Sequence, residues 1–185
     1  WEIKQSLQQH DRHPLGRLEQ QGLLNSRLQA VHMAQLSEED IDRVARSGAQ
    51  VVHCPQSNLK LASGFCPVAS LQQAGMNVAL GTDGAASNND LDLLAEAQTA
   101  ALLAKGVSGD ARAGSARQII DMLTINGARV LGLADRIGSI ESGKQADFCA
   151  LDLCAPQTQP LHHVLSQLVY AASSHQVSDV WVAGR

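Results

Sequence analysis

Apolar positions along the chain switch repeatedly between two patterns: short continuous runs, as in buried strands, and the three-to-four-residue spacing of helices. Residues 1–24 carry helical spacing, interrupted at "RHPLG". The run "RLQAVHM" at 27–33 is strand-like and ends in His32. It is followed by "SEEDIDRVARSG", where Ser37 and Asp40 are spaced as a helix-capping pair and Gly48 is a stop. The same unit recurs with "QVVHC" at 50–54, a Gly- and Pro-bearing loop "PQSNLKLASGFCP" and the helical "VASLQQAG". A third unit has "NVALGTD", an Asn-rich turn and the long helix "DLDLLAEAQTAALLAKG". Strands alternating with amphipathic helices predict parallel strands joined by right-handed crossovers, hence an α/β sheet covered by helices.

The texture changes after "SARQIIDMLTINGARVLGL", which predicts one more helix ending at Gly132. "RIGSIESGKQADFCALDL" is turn-rich with short β-like runs, "HHVLSQLVYAASSHQ" is helical and "VSDVWVAGR" is strand-like. The expected division is therefore 1–134 for the α/β part and 135–185 for a small β unit with one helix. The first residues, "WEIKQSLQQH", start inside an amphipathic pattern without Met, and the last follow directly on a strand-like run, so the chain is expected to be a piece of something longer.

Composition narrows the choice of partners. With 44% hydrophobic and 17% charged residues, the chain has the balance of a domain with a buried core. The net charge of −4 and the scattering of Lys and Arg leave no basic stripe for a phosphate backbone, which argues against nucleic acid. No apolar run reaches the roughly 20 residues of a bilayer span, and no signal-peptide core is present. Cys54, Cys66, Cys149 and Cys154 match neither a disulfide framework nor a paired metal-ligand spacing, and are read as reduced thiols of a cytoplasmic protein.

His32, His53 and Asp83 each fall at the C-terminal end of one of the three strands, the end where parallel α/β folds gather their ligands. A single such His is ordinarily a structural residue and an Asp before Gly a turn former; three at equivalent strand ends form a pattern. Imidazole and carboxylate suit zinc, iron or manganese, which can bring the pKa of a bound water from 15.7 to about 7. The pattern supplies no HxH or HxxE spacing, so the segment holds no whole metal site. "GTDGAASNND" has a rival reading as a phosphate-cradling loop, but it lacks the GxGxxG and GK[ST] patterns. His10, His13, His162, His163 and His175 have no partner at ligand spacing and are read as surface or packing residues. Cys54 lacks an acyl-transfer constellation and is read as a buried thiol.

In order and spacing, "AVHMAQL", "VVHCPQSNLKLASG" and "NVALGTDGAASNNDLDLL" resemble the amidohydrolase superfamily, specifically its 5-methylthioadenosine/S-adenosylhomocysteine deaminases, which sit beside the s-triazine hydrolases. The resemblance continues through "TINGARVLGL", "IGSIESGKQADFCALDL" and "SQLVYAASSHQVSDVWVAGR". It implies strands six to eight of a (β/α)8 TIM barrel, followed by part of a small β-sandwich domain. It further implies one divalent metal, typically zinc, in an enzyme acting on a small nucleoside; the expectations of a cytoplasmic protein without nucleic acid or membrane partner rest on the composition above, and homo-oligomerisation is left open. The implied reaction is hydrolytic deamination of the adenine ring by a metal-activated water.

On this resemblance Asp83 occupies the strand-eight position, where it ligates the metal, takes a proton from the attacking water and contacts substrate. His32 occupies the strand-six position, whose imidazole hydrogen-bonds the water and stabilises charge developing in the tetrahedral intermediate. His53 matches the strand-seven "HxPxSN" histidine and is expected to shape the pocket; Gln35 is assigned no chemistry. The HxxE and HxH motifs that complete the family's metal site would precede Trp1, so the isolated chain is expected to be inactive, with unpaired strand edges that promote association. The alternatives are another amidohydrolase, such as an s-triazine hydrolase or guanine deaminase, or a non-catalytic interaction module that lacks the metal site.

Overall fold

The computed structural model describes residues 2–185. Two short helices, α1 (Glu2–His10) and α2 (Pro14–Gln20), lead into the first strand, β1 (Gln29–Val31). The chain then alternates: α3 (Glu38–Ser47), β2 (Gln50–His53), α4 (Pro55–Lys60), α5 (Val68–Gln73), β3 (Val78–Leu80) and α6 (Leu93–Ser108). The strands form a parallel sheet in the order β1-β2-β3, with Val31 opposite Val52 and His53 opposite Leu80. No helix among the described residues is long and apolar enough to cross a membrane.

Local chemistry explains where the helices begin and end. Ser37 and Asp40 close a reciprocal capping box on α3, in which the Ser37 side chain accepts from the Asp40 N–H and the Asp40 carboxylate accepts from the Ser37 N–H. Such a cap is worth about 1 kcal/mol. Gly48, at φ +74°, ends the helix in the left-handed conformation that side-chain-bearing residues avoid. Asp92 caps α6 by accepting from the N–H groups of Leu94 and Ala95, at 2.8 and 3.2 Å.

Two expectations need correction. The segment read as a loop after His53 contains α4, which starts at Pro55, where a missing N–H costs nothing because a first-turn donor has no helical partner. The single helix expected before Gly132 is two, α7 (Ala116–Leu123) and α8 (Ile125–Val130), because Thr124 leaves helical geometry at φ −124°, ψ −96°.

Val51, Val78 and Leu80 point from the sheet into a core completed by Leu71, Ala97, Ala100, Ala101, Ile119 and Met122 from the helices. Each such large side chain contributes about 1.5–3 kcal/mol on full burial. Helix α8 seals the N-terminal end of the strands: Asn77 Nδ2 donates to Asn126 O at 3.0 Å, Asn126 Nδ2 donates to Val78 O at 2.9 Å, and Gln29 Nε2 donates to Val130 O at 2.9 Å. The opposite strand ends carry the loops of interest.

Beyond α8 the chain forms β4 (Phe148–Leu151), α9 (Val164–Tyr170) and β5 (Val177–Trp181). β4 and β5 pair antiparallel as a separate two-stranded sheet, with Phe148 stacked on Trp181 at 4.6 Å. Helix α9 returns to the main body: Val169 is fully buried in its core, and Gln98 Nε2 of α6 donates to Tyr170 O at 2.7 Å.

Candidate active site

The parallel register fixes which residues meet at the open end of the sheet. The ladder continues past the strands through His32 N–H to Val52 O and Gly81 N–H to His53 O, each at 3.0 Å. Gly81 is required there, since a Cβ would lie 2.9 Å from Val52 Cγ1 and 3.3 Å from Cys54 Sγ. Both His32 and Asp83 then turn into left-handed backbone, at φ +71° and +64°. Each such non-glycine residue costs about 1–3 kcal/mol, a strain that surrounding contacts must hold.

Those turns bring the two side chains together. His32 Nε2 lies 3.8 Å from Asp83 Oδ2, and His32 Nδ1 lies 2.9 Å from Asn58 Oδ1. An acceptor at Nδ1 calls for the tautomer or cation with hydrogen on that nitrogen, so Asn58 sets the ring's orientation and the Nε2 edge faces Asp83. Asp83 Oδ2 in turn accepts from Ser87 Oγ at 2.6 Å and Ser57 Oγ at 2.8 Å. The Ser87 hydroxyl, then the Ser57 hydroxyl and the Gly84 N–H, hold the Asp83 carboxyl down at about 2, so it stays anionic through the neutral range. Both side chains keep solvent access, at 40% for His32 and 33% for Asp83.

His53 belongs to the other face. Period-two alternation places it with Val51, toward the helices, and it is 2% exposed, with Nδ1 lacking a hydrogen-bond partner. Burial, and secondarily His32, lower its pKa to about 4, so at neutral pH the ring is uncharged. Gln35, assigned no chemistry, bridges loops: its Nε2 donates to Ser63 O at 2.8 Å. Cys54 and Cys66 are buried, and desolvation is the main cause that pushes both thiols up to about 12, which suppresses nucleophilic thiolate.

Asp83 fits one carboxylate position of a divalent-metal site: it is anionic, accessible and fixed by two hydroxyls. Among the described residues no three His, Cys, Asp or Glu side chains come together as a metal-binding group. The described residues thus offer one donor, with an imidazole beside it, and no complete set.

Four residues that sequence reasoning did not single out support the pair: Ser57, Asn58, Ser87 and Glu96. The first three sit in the small polar runs "SN" and "SNN" behind His53 and Asp83. Glu96 had its own signal, as the lone charged residue within "LLAEAQTAALLA" of α6. It is fully buried, accepting from the Gln56 N–H at 3.1 Å and from the Asn88 amide. Desolvation raises its pKa to about 7, with those two donors offsetting part of the shift.

Comparison with known proteins adds independent observations. The model described as "Amidohydrolase family" matches residues 1–185. A 5-methylthioadenosine/S-adenosylhomocysteine deaminase of Teredinibacter turnerae is 57% identical over 183 residues, 99% of this chain and 41% of the relative. An adenosine deaminase of Xanthomonas campestris, crystallised with bound zinc, superposes with a TM-score of 0.97 at 59% identity, over 99% of this chain and 42% of that one. Atrazine chlorohydrolase of Arthrobacter aurescens TC1 in complex with zinc matches at a TM-score of 0.91 and 28% identity, over 98% and 40% of the two chains. The chain therefore spans about two fifths of the length of the relatives it matches.

Proposed function

The chain belongs to the amidohydrolase family, and we propose that it is the C-terminal part of a hydrolase that deaminates the adenine ring of 5-methylthioadenosine and S-adenosylhomocysteine. The observation that carries this reading is the approach of His32 to Asp83 at the strand ends, 3.8 Å apart, in a chain 57% identical to a deaminase of that name. In this reading β1 to β3 are the last three strands of a (β/α)8 barrel, and β4 and β5 belong to a small β domain beginning near residue 135.

Within the complete protein, Asp83 would hold one divalent metal, most simply zinc as in the Xanthomonas relative, together with donors from outside this chain. Bound there, the metal supplies a Lewis acid that lowers the pKa of water. Asp83 is suited to accept the proton of the attacking water, because it is anionic at neutral pH and exposed on the same side as His32. His32 presents Nε2 to the same space, with its other nitrogen fixed by Asn58, and can stabilise negative charge as the ring carbon becomes tetrahedral. His53, uncharged at neutral pH, is a packing residue on the opposite face of the sheet and takes no part in the reaction. Contacts from Asn58, Ser57 and Ser87 hold both side chains in place, which limits the reorganisation needed on substrate binding.

The test is ammonia release by the full-length protein from methylthioadenosine, S-adenosylhomocysteine, guanine and a chlorotriazine. Release from the two thioether nucleosides at kcat/KM at least about tenfold above the guanine value agrees with the proposal. Preference for guanine or dechlorination of the triazine assigns the chain to another member of the family, and no turnover of any of the four favours an interaction module.

A further inference from the structure

The loop at residues 81–92, which carries Asp83 and Ser87, is fastened to α4 at four points, the longest being a 3.5 Å contact from Asn88 Nδ2 to Gln56 Oε1. Ser57 Oγ donates to Asp83 Oδ2 at 2.8 Å. Lys60 Nζ donates to Ala86 O at 2.9 Å and to Asn89 Oδ1 at 2.7 Å, on the exposed side. The third fastening is internal: Glu96 receives the Gln56 N–H of α4 on Oε2 and the Asn88 amide on Oε1. Asn88 is 2% exposed and is engaged in both directions along the loop, its N–H donating to Gly84 O at 2.8 Å and its Oδ1 accepting from Leu91 N–H at 2.9 Å. The segment contains two left-handed non-glycine residues, Asp83 and Leu91, whose strain would relax if the loop were released.

We propose that Glu96 is a positioning residue for the active site: its buried carboxylate joins the loop that carries Asp83 to the start of α4, which carries Ser57 and Asn58, and so sets the place of Asp83 opposite His32. Both neighbours of Glu96 are donors, and the Gln56 N–H is backbone and cannot be reversed, so the position demands two acceptor oxygens. Burying a carboxylate is costly, and an apolar side chain would fill the same space in α6 at less cost. Packing alone therefore does not account for an acid at this position. Glu96 touches no reacting group itself, and its effect passes through Asn88 and the loop.

Reversing the polarity of one contact tests this in the full-length protein. In Glu96→Gln, the new amide must give its oxygen to the Gln56 N–H and turn its NH2 toward the Asn88 NH2, so one contact is lost. Adding Asn88→Asp restores it, since a carboxylate at 88 accepts from the amide at 96 while still accepting the Leu91 N–H. The expected results are a fall in kcat of about 10–100-fold for Glu96→Gln with KM changed less than about threefold, the scale of a misplaced catalytic group. Amide hydrogen exchange should accelerate about tenfold or more in residues 81–92 and at the start of α4 but not elsewhere. The double variant should recover most of both.

An unchanged kcat together with unchanged exchange overturns the proposal. So does faster exchange throughout the chain, the mark of a merely destabilised fold, or a double variant no better than Glu96→Gln. The kcat arm rests on the proposed deamination and the exchange arm does not: a wild-type protein that releases no ammonia refutes the deaminase reading, and exchange alone then decides on Glu96.

Discussion

Two buried groups beneath the site titrate with opposite effects on stability, and the pH dependence of unfolding should separate them. Burial lowers His53 from 6.5 to about 4, so the native state resists the proton that the unfolded chain accepts. Its contribution is complete above pH 6.5 and is lost as the pH falls from 6.5 toward 4. Burial raises Glu96 from 4.5 to about 7, so here the native state keeps a proton that the unfolded chain releases. Its contribution is complete below pH 4.5 and is lost as the pH rises from 4.5 toward 7. At about 1.4 kcal/mol per pKa unit, each swing amounts to as much as about 3 kcal/mol. In wild-type protein the two slopes oppose one another between pH 4.5 and 6.5 and leave a shallow profile. The perturbations are His53→Gln and Glu96→Gln in the full-length protein, each compared with wild type by urea unfolding at half-unit steps from pH 4 to 7.5. The stability difference between wild type and His53→Gln should shift by up to about 3 kcal/mol against wild type on acidification through this range, and that between wild type and Glu96→Gln by a similar amount against wild type as the pH rises. Differences that stay constant with pH would show that neither group titrates as its burial requires, and would refute the reasoning.

Three further outcomes follow from the geometry. Ser87→Ala should raise the pKa of Asp83 and move the acid limb of kcat/KM to higher pH, more than Ser57→Ala does, because the Ser87 hydroxyl is the larger cause of the depressed value; a limb that stays in place excludes Asp83 as the titrating base. His32→Gln should lower kcat by about 10²–10⁴-fold without changing metal content, since His32 is read as acting on water and substrate rather than as a ligand; loss of metal in this variant contradicts that role. Cys54 and Cys66 should resist thiol labelling, followed by peptide mass mapping, until denaturant is added, as both are buried with pKa values pushed up to about 12; labelling of Cys54 in the native protein would show that the sheet end opens.

The alternation of apolar runs and helical spacing made the parallel sheet legible, because period and capping are local properties. Ser37, Asp40 and Gly48 announced α3 from sequence alone, and the structure closes the same capping box. What stayed hidden depended on tertiary neighbours. Pro55 read as a loop residue although Pro is equally at home in the first turn of a helix. The Thr124 break had no Gly or Pro to mark it. His32 and Asp83 could be placed at strand ends by counting, but their 3.8 Å approach requires two left-handed turns that no periodicity encodes. Ser57, Ser87 and Asn58 looked like ordinary turn residues, since a hydroxyl or amide becomes part of a site only through the group it meets. His53 stood in the same pattern as the other two, yet strand alternation turns it to the face of Val51.

The central claim is that Asp83 both holds a cation and accepts the proton of the attacking water. It is tested most directly by Asp83→Asn in the full-length protein, measuring bound zinc by atomic emission and ammonia release from methylthioadenosine in the same preparation. An amide is a weaker donor and a poor base, so the account predicts loss of bound zinc and a fall in kcat/KM of at least about 10³-fold, in protein that still folds. A variant that retains both its zinc and more than about a tenth of wild-type activity would contradict it.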